Sequence, residues 1–144
     1  MTLQQIEDFI LALPGVQSST AFGYRFFFYC DDHKLPFATL ADSYNEYDNR
    51  SNLTREGVFR VNIGVSAATF RQLFENIAQA ETDYTELDRF LPHPDYAAYN
   101  FICILCPAGD NVMRLQHYLE EAYSIAKARY ERRRNGSADA SDVR

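Results

Sequence analysis

VFRVNIGV, residues 58–65, alternates without a slip: Phe59, Val61, Ile63 and Val65 are apolar, and Arg60, Asn62 and Gly64 between them are not. A period of two puts the first set on one face of a β-strand and the second on the other. The apolar set is the core face. Ser66 follows directly, then AATFRQLFENIA with Phe70, Leu73, Phe74 and Ile77 at helical spacing, so the strand runs into a helix capped by serine.

Upstream, Thr2 and Gln5 form a capping-box pattern. Leu3, Ile6, Phe9, Ile10 and Leu13 then repeat as one helical stripe until Pro14 and Gly15 stop it. FGYRFFFYC, residues 22–30, is aromatic and β-prone, and the polar DDHK after it turns the chain toward a second strand at 37–40, which predicts a hairpin. ADSYNEYDNRSNLTREG, residues 41–57, reads as a long exposed polar loop.

Downstream, ETDYTELDRF holds a short turn of helix at most, and Pro92 and Pro94 forbid regular structure beyond it. YNFICILC, residues 99–106, is a nearly continuous apolar run, the mark of a strand covered on both faces. Asp110 or Asn111 then caps a long final helix with Val112, Leu115, Leu119, Ala122 and Ala126 on its buried side and Lys127, Arg129, Arg132, Arg133 and Arg134 in its last turns. The order predicts a single α+β domain over 1–134, with a largely antiparallel sheet, helices packed on one face and a long C-terminal helix. Residues 135–144 read as a disordered tail.

Composition narrows the function. A chain of 144 residues with 47% hydrophobic content is one domain's worth of core, and its 15% aromatic share, with no Trp, must fill that core or line a cleft. No window has the length of a membrane span, and the acidic start MTLQQIEDFI is unlike a secretory signal, so the expected compartment is the cytoplasm. Three cysteines fit free thiols better than a disulfide framework. The net charge of −6 is uneven: residues 127–144 carry six cations and three acids, leaving a body at −9 that repels phosphate backbones. Nucleic acid is therefore a poor partner, supported only by the basic ERRR end.

LPGV, FRVNIGVSAATF, LPHPDYA with the apolar strand after it, and EAYSIAKARYERR together resemble an uncharacterised bacterial domain family. The layout is also similar to the MmcQ and YjbR-like group of small α+β domains, departing from it in the loop at 41–57 and at Phe101 and Cys106. The DNA binding sometimes attached to that group is an argument from fold alone.

The chemical candidates each carry two readings. Cys103 and Cys106 form a Cys-x-x-Cys, but inside a strand, where i and i+3 face apart, so buried thiols are expected over a redox pair. With Cys30 and His33 they would make a three-sulfur, one-nitrogen zinc set if a fold gathered them, although strand interiors separate such ligands; no metal or other cofactor is expected. His93, held between two prolines, is either a general base oriented by Asp95 or a ring that fixes the entry to the strand. Arg25, Arg60 and Asn62, with Tyr24, Tyr96 and His93, would line a polar concavity suited to a carboxylate or phosphate, or else form a solvated sheet face.

Three functions follow in order of preference. The first is a non-catalytic module for a small anionic ligand or a protein partner. The second is a small hydrolase with His93 as base and an acid at Asp95 or in the 41–57 loop. Nucleic-acid binding is the third. Monomer and homodimer are both compatible with the sequence.

Overall fold

The computed structural model describes residues 1–43, 49–76 and 82–142, with the backbone alone from 137 onward. Helix α1, Leu3–Leu11, starts at the expected capping box: Thr2 Oγ1 accepts from the Gln5 N–H at 3.1 Å, and Gln5 Oε1 accepts from the Thr2 N–H at 2.9 Å. Six strands follow: β1 Val16–Ala21, β2 Tyr24–Tyr29, β3 Ala38–Ala41, β4 Arg60–Gly64, β5 Leu91–Pro92 and β6 Phe101–Leu105. They form one sheet in the order β1-β2-β3-β4-β6-β5, with antiparallel pairing throughout. Helix α2, Ala67–Phe74, joins β4 to the β5 side, and helix α3, Asp110–Asp142, follows β6. The domain is α+β, as the sequence predicts.

The first strand differs from expectation. VQSSTA, 16–21, is a strand, and Phe22-Gly23 is the two-residue turn that pairs Ala21 with Tyr24. Both turn residues have positive φ, 55° and 80°, the type I′ combination whose twist suits a hairpin. A polar edge strand has no apolar alternation to reveal it. The hairpin expected between residues 22–30 and 37–40 is the β2–β3 pair, with Phe27 opposite Ala38. Pro92 also enters the sheet, as half of a two-residue edge strand, where its missing N–H breaks no ladder bond toward solvent.

One face of the sheet is the core. Phe27, Leu40, Val61, Ile63, Ile102 and Ile104 meet Ile6 and Ile10 of α1, Phe74 of α2, and Leu115, Leu119, Ala122 and Ala126 of α3. All three helices thus pack on that face. The α2 reading extended to Ala78; the helix ends at Phe74, and Ile77 lies outside the described residues. The stretch 135–142, expected as part of a disordered tail, continues the backbone of α3, and residues 143–144 lie outside the described residues. Between 82 and 90 the described residues form no α-helix; Asp83 instead accepts from the Thr85 hydroxyl at 2.6 Å and its N–H at 3.0 Å, and these bonds hold the Asp83 carboxyl below its usual range. No helix among the described residues is long and apolar enough to cross a membrane.

Polar contacts at Asp32 and Glu121 help to fasten α3. Asp32 sits 3.7 Å from Arg129 and 3.3 Å from Arg133, so the basic turns meet a carboxylate. The helix runs on to Asp142, so these cations do not lie in its last turn as expected, and their partner is Asp32, not the helix dipole. Glu121 reaches across to α2, accepting from the Ser66 N–H at 3.2 Å and the Thr69 hydroxyl at 2.7 Å, while Ser66 Oγ accepts from the Thr69 N–H. Eight residues make too short a helix to hold alone, so this borrowed carboxylate matters. Glu121→Ala is expected to lower stability by about 1–2 kcal/mol, with amide exchange in α2 accelerating before that in β4. Unchanged α2 protection in a hydrogen-exchange experiment would show that the cap is dispensable.

Candidate functional site

Period-two alternation that sends Phe27 and Ile63 to the helices sends Tyr24, Phe26, Thr39, Arg60, Asn62 and Phe101 to the opposite face. There the sheet carries a cavity of about 770 Å³. Its floor is polar. Asn62 Nδ2 donates to Thr39 Oγ1 at 2.8 Å, Arg60 Nε donates to Asn62 Oδ1 at 2.8 Å, and Arg60 Nη1 donates to Ser51 Oγ at 3.0 Å. Arg60 is 0% exposed, Asn62 2% and Ser51 1%.

The solvated sheet face is therefore not what this side is. Part of the segment expected as an exposed loop folds back over it: Leu53 packs with Ala41 and Leu105, backed by Tyr24 and Val58. Burying a guanidinium is costly unless its N–H groups are satisfied, and these bonds supply part of that.

Two aromatic walls flank the floor. On β2, Tyr24 and Phe26 stand 5.8 Å apart, with Phe22 at the hairpin tip beyond them. On the other side, the turn before β6 brings His93 within 5.0 Å of Tyr96, and Tyr96 within 6.4 Å of Tyr99 and 6.5 Å of Phe101. Phe101 lies opposite Gly64, where a Cβ would stand 3.0 Å from its ring; the bare glycine lets the ring lie flat against β4. Phe22, Leu35, Tyr96 and Tyr99 at the mouth are four of the seven large hydrophobic side chains exposed among the described residues.

The structure brings Tyr24, Arg60, Asn62, His93, Asp95 and Tyr96 together around this cavity. It does not bring Arg25. That residue neighbours Tyr24 in the strand and so points to the other face, where it lies 3.4 Å from Glu7 and 3.9 Å from Asp42. Sequence reasoning missed Phe22, Phe26, Thr39, Tyr99 and Phe101 as lining residues. Alternation from Tyr24 points to Phe26, and cross-strand register brings Thr39 beside Asn62, but the register needs the structure.

His93 is 4% exposed, and its Nδ1 accepts from the N–H groups of both Asp95 and Tyr96, each at 3.0 Å. A neutral ring so held carries its proton on Nε2. Asp95 meets the imidazole through its main chain, and its carboxylate lies 4.0 Å from Arg50 instead. The pair is thus a turn clamp that sets Tyr96 in the wall.

The four candidate zinc ligands are dispersed. Cys30 follows β2 directly and Cys103 lies in β6, three strands away, about 14 Å at ordinary ladder spacing. The His33 ring stacks on Phe28 at 4.5 Å and bonds Gln17 at 2.7 Å, and Cys106 Sγ lies beside the Gly57 carbonyl at 3.5 Å. Among the described residues no group of three or more His, Cys, Asp or Glu side chains is placed to hold a metal ion, and all three cysteines are free thiols.

No curated protein and no solved structure matches the chain. Over residues 1–135 the sequence matches the model of a family of unknown function (DUF6194), and the chain belongs to that family.

Proposed function

We propose that this domain is a binding module for a small molecule with an apolar body and an anionic end, seated between the two aromatic walls with its charge directed at Arg60. The observation that carries this reading is the cavity itself: about 770 Å³, walled by rings, with a buried cation and its Asn62–Thr39 network as floor. Small-molecule sites have this size and this mixture of apolar wall and few convergent polar groups.

The hydrolase alternative is weaker. To act as a base, His93 would need a lone pair on Nε2, which moves the proton to Nδ1 and breaks both main-chain bonds. The element order is also similar to the MmcQ and YjbR-like layout, a likeness of fold that brings no site residue with it. An odd count of cysteines, all of them free thiols, supports a cytoplasmic setting.

Two dyes of one ring frame test the charge. 1-Anilinonaphthalene-8-sulfonate is anionic, and N-phenyl-1-naphthylamine is neutral. Fluorescence titration of the folded protein is expected to show at least ten-fold tighter binding of the sulfonate, with the tyrosine-lined cavity protected in hydrogen exchange. Equal affinity for the two dyes, or no binding of either, would defeat the reading.

A further inference from the structure

Phe22 is placed against its own interests. At φ 55° a bulky L-residue is strained, and the first position of a type I′ turn ordinarily takes Asn, Asp or Gly. Its ring is 89% exposed, so no packing within the domain offsets that strain. Gly23 beside it is required: its φ is 80°, and a Cβ there would collide with Ser43. Nothing comparable requires Phe22. Strain held without a structural return is a pointer to a binding role.

Its location supplies the role. Phe22 extends the β2 wall of the cavity, facing across the floor toward the turn that carries Tyr96 and Tyr99. The strands behind the two walls, β2 and β6, are three ladder steps apart, about 14 Å, a gap that admits a flat body standing between rings on both sides. Tyr96 is 55% exposed and Tyr99 70%, so each wall offers ring surface at the mouth.

Resting on the binding function above, we propose that the ligand is a planar aromatic anion, an aryl acid of the carboxylate, sulfonate or phosphate class, and that Phe22 is the ring that selects it. The acid group is directed at the Arg60 end of the floor. The flat ring lies against Phe22 on one side and the Tyr96–Tyr99 pair on the other, where offset stacking or edge contact adds to plain burial. An aliphatic chain of equal area gains the burial without the ring contact.

The experiment compares 2-naphthalenesulfonate with 1-decanesulfonate by calorimetry on the wild-type chain, Phe22→Asn and Phe22→Tyr, with thermal melts of each. Phe22→Asn is expected to melt higher than wild type, because asparagine tolerates the turn. It should bind the aryl sulfonate about five-fold more weakly and lose distinctly less for the alkyl sulfonate, which forfeits burial against Phe22 but no ring contact. Phe22→Tyr, with the ring retained, should bind both as wild type does. An equal loss for both sulfonates, or an unaltered aryl affinity in Phe22→Asn, overturns the role of Phe22 and leaves the binding cavity standing. Failure of the wild type to bind either sulfonate overturns the cavity reading as well.

Discussion

Arg60→Met will lower the unfolding free energy by about 2–4 kcal/mol and abolish the preference for an anionic dye. Methionine fills much of the same volume, so the loss comes from polar groups left behind. Asn62 Oδ1 and Ser51 Oγ each lose a donor, in places that are 2% and 1% exposed. An orphaned buried group costs about 1–3 kcal/mol, and relief of the guanidinium's own desolvation offsets part of the sum. The origin of the effect can be separated by a second change. Arg60→Met combined with Asn62→Leu removes the acceptor as well as its donor and is expected to be more stable than the sum of the single variants implies, as urea denaturation would measure. An Arg60→Met protein as stable as wild type would mean that the network contributes nothing to the fold.

Phe27→Ala will be the more damaging to stability, by about 3–5 kcal/mol, with no selective effect on ligand affinity in whatever fraction remains folded. Phe27 is 0% exposed in the middle of β2, on the face covered by the helices. Tyr24, three residues earlier in the same strand, faces the cavity. Tyr24→Ala is expected to cost under about 2 kcal/mol and to act mainly on binding. The two positions thus divide the labour of one strand, and a matched pair of denaturation and titration curves would display it. Selective loss of binding in Phe27→Ala would contradict that division.

The same alternation explains what could be read in advance. VFRVNIGV places Arg60 and Asn62 opposite the core because a period of two leaves no other arrangement, and YNFICILC identifies the doubly covered β6 by having no polar face at all. It also condemns Arg25: Tyr24 and Arg25 are adjacent, so one strand could not aim both into one concavity. β1 escaped notice because Gln17, Ser18, Ser19 and Thr20 form an exposed edge, where hydrogen bonding to β2 replaces apolar burial as the organising force. Likewise Ser51 and Leu53 lie in a stretch that is polar on average, and their burial depends on a long-range return to the sheet that composition does not encode. The cavity's second wall rests on His93, whose clamp on two main-chain N–H groups is a matter of geometry.

Glu121 and the helix that carries it have a consequence for how the chain assembles as it is made. Every strand of the sheet lies before residue 106, whereas the residues of α3 that cover its back, Leu115 to Ala126, come afterwards, and α2 lacks the carboxylate for its first turn until residue 121 has emerged. Vectorial synthesis therefore completes the sheet with only α1 and α2 at hand to cover its apolar face, and the share that belongs to α3 stays open until α3 docks. A nascent chain stalled just after β6 carries an apolar face that is covered only in part, the condition in which unfinished chains associate with one another.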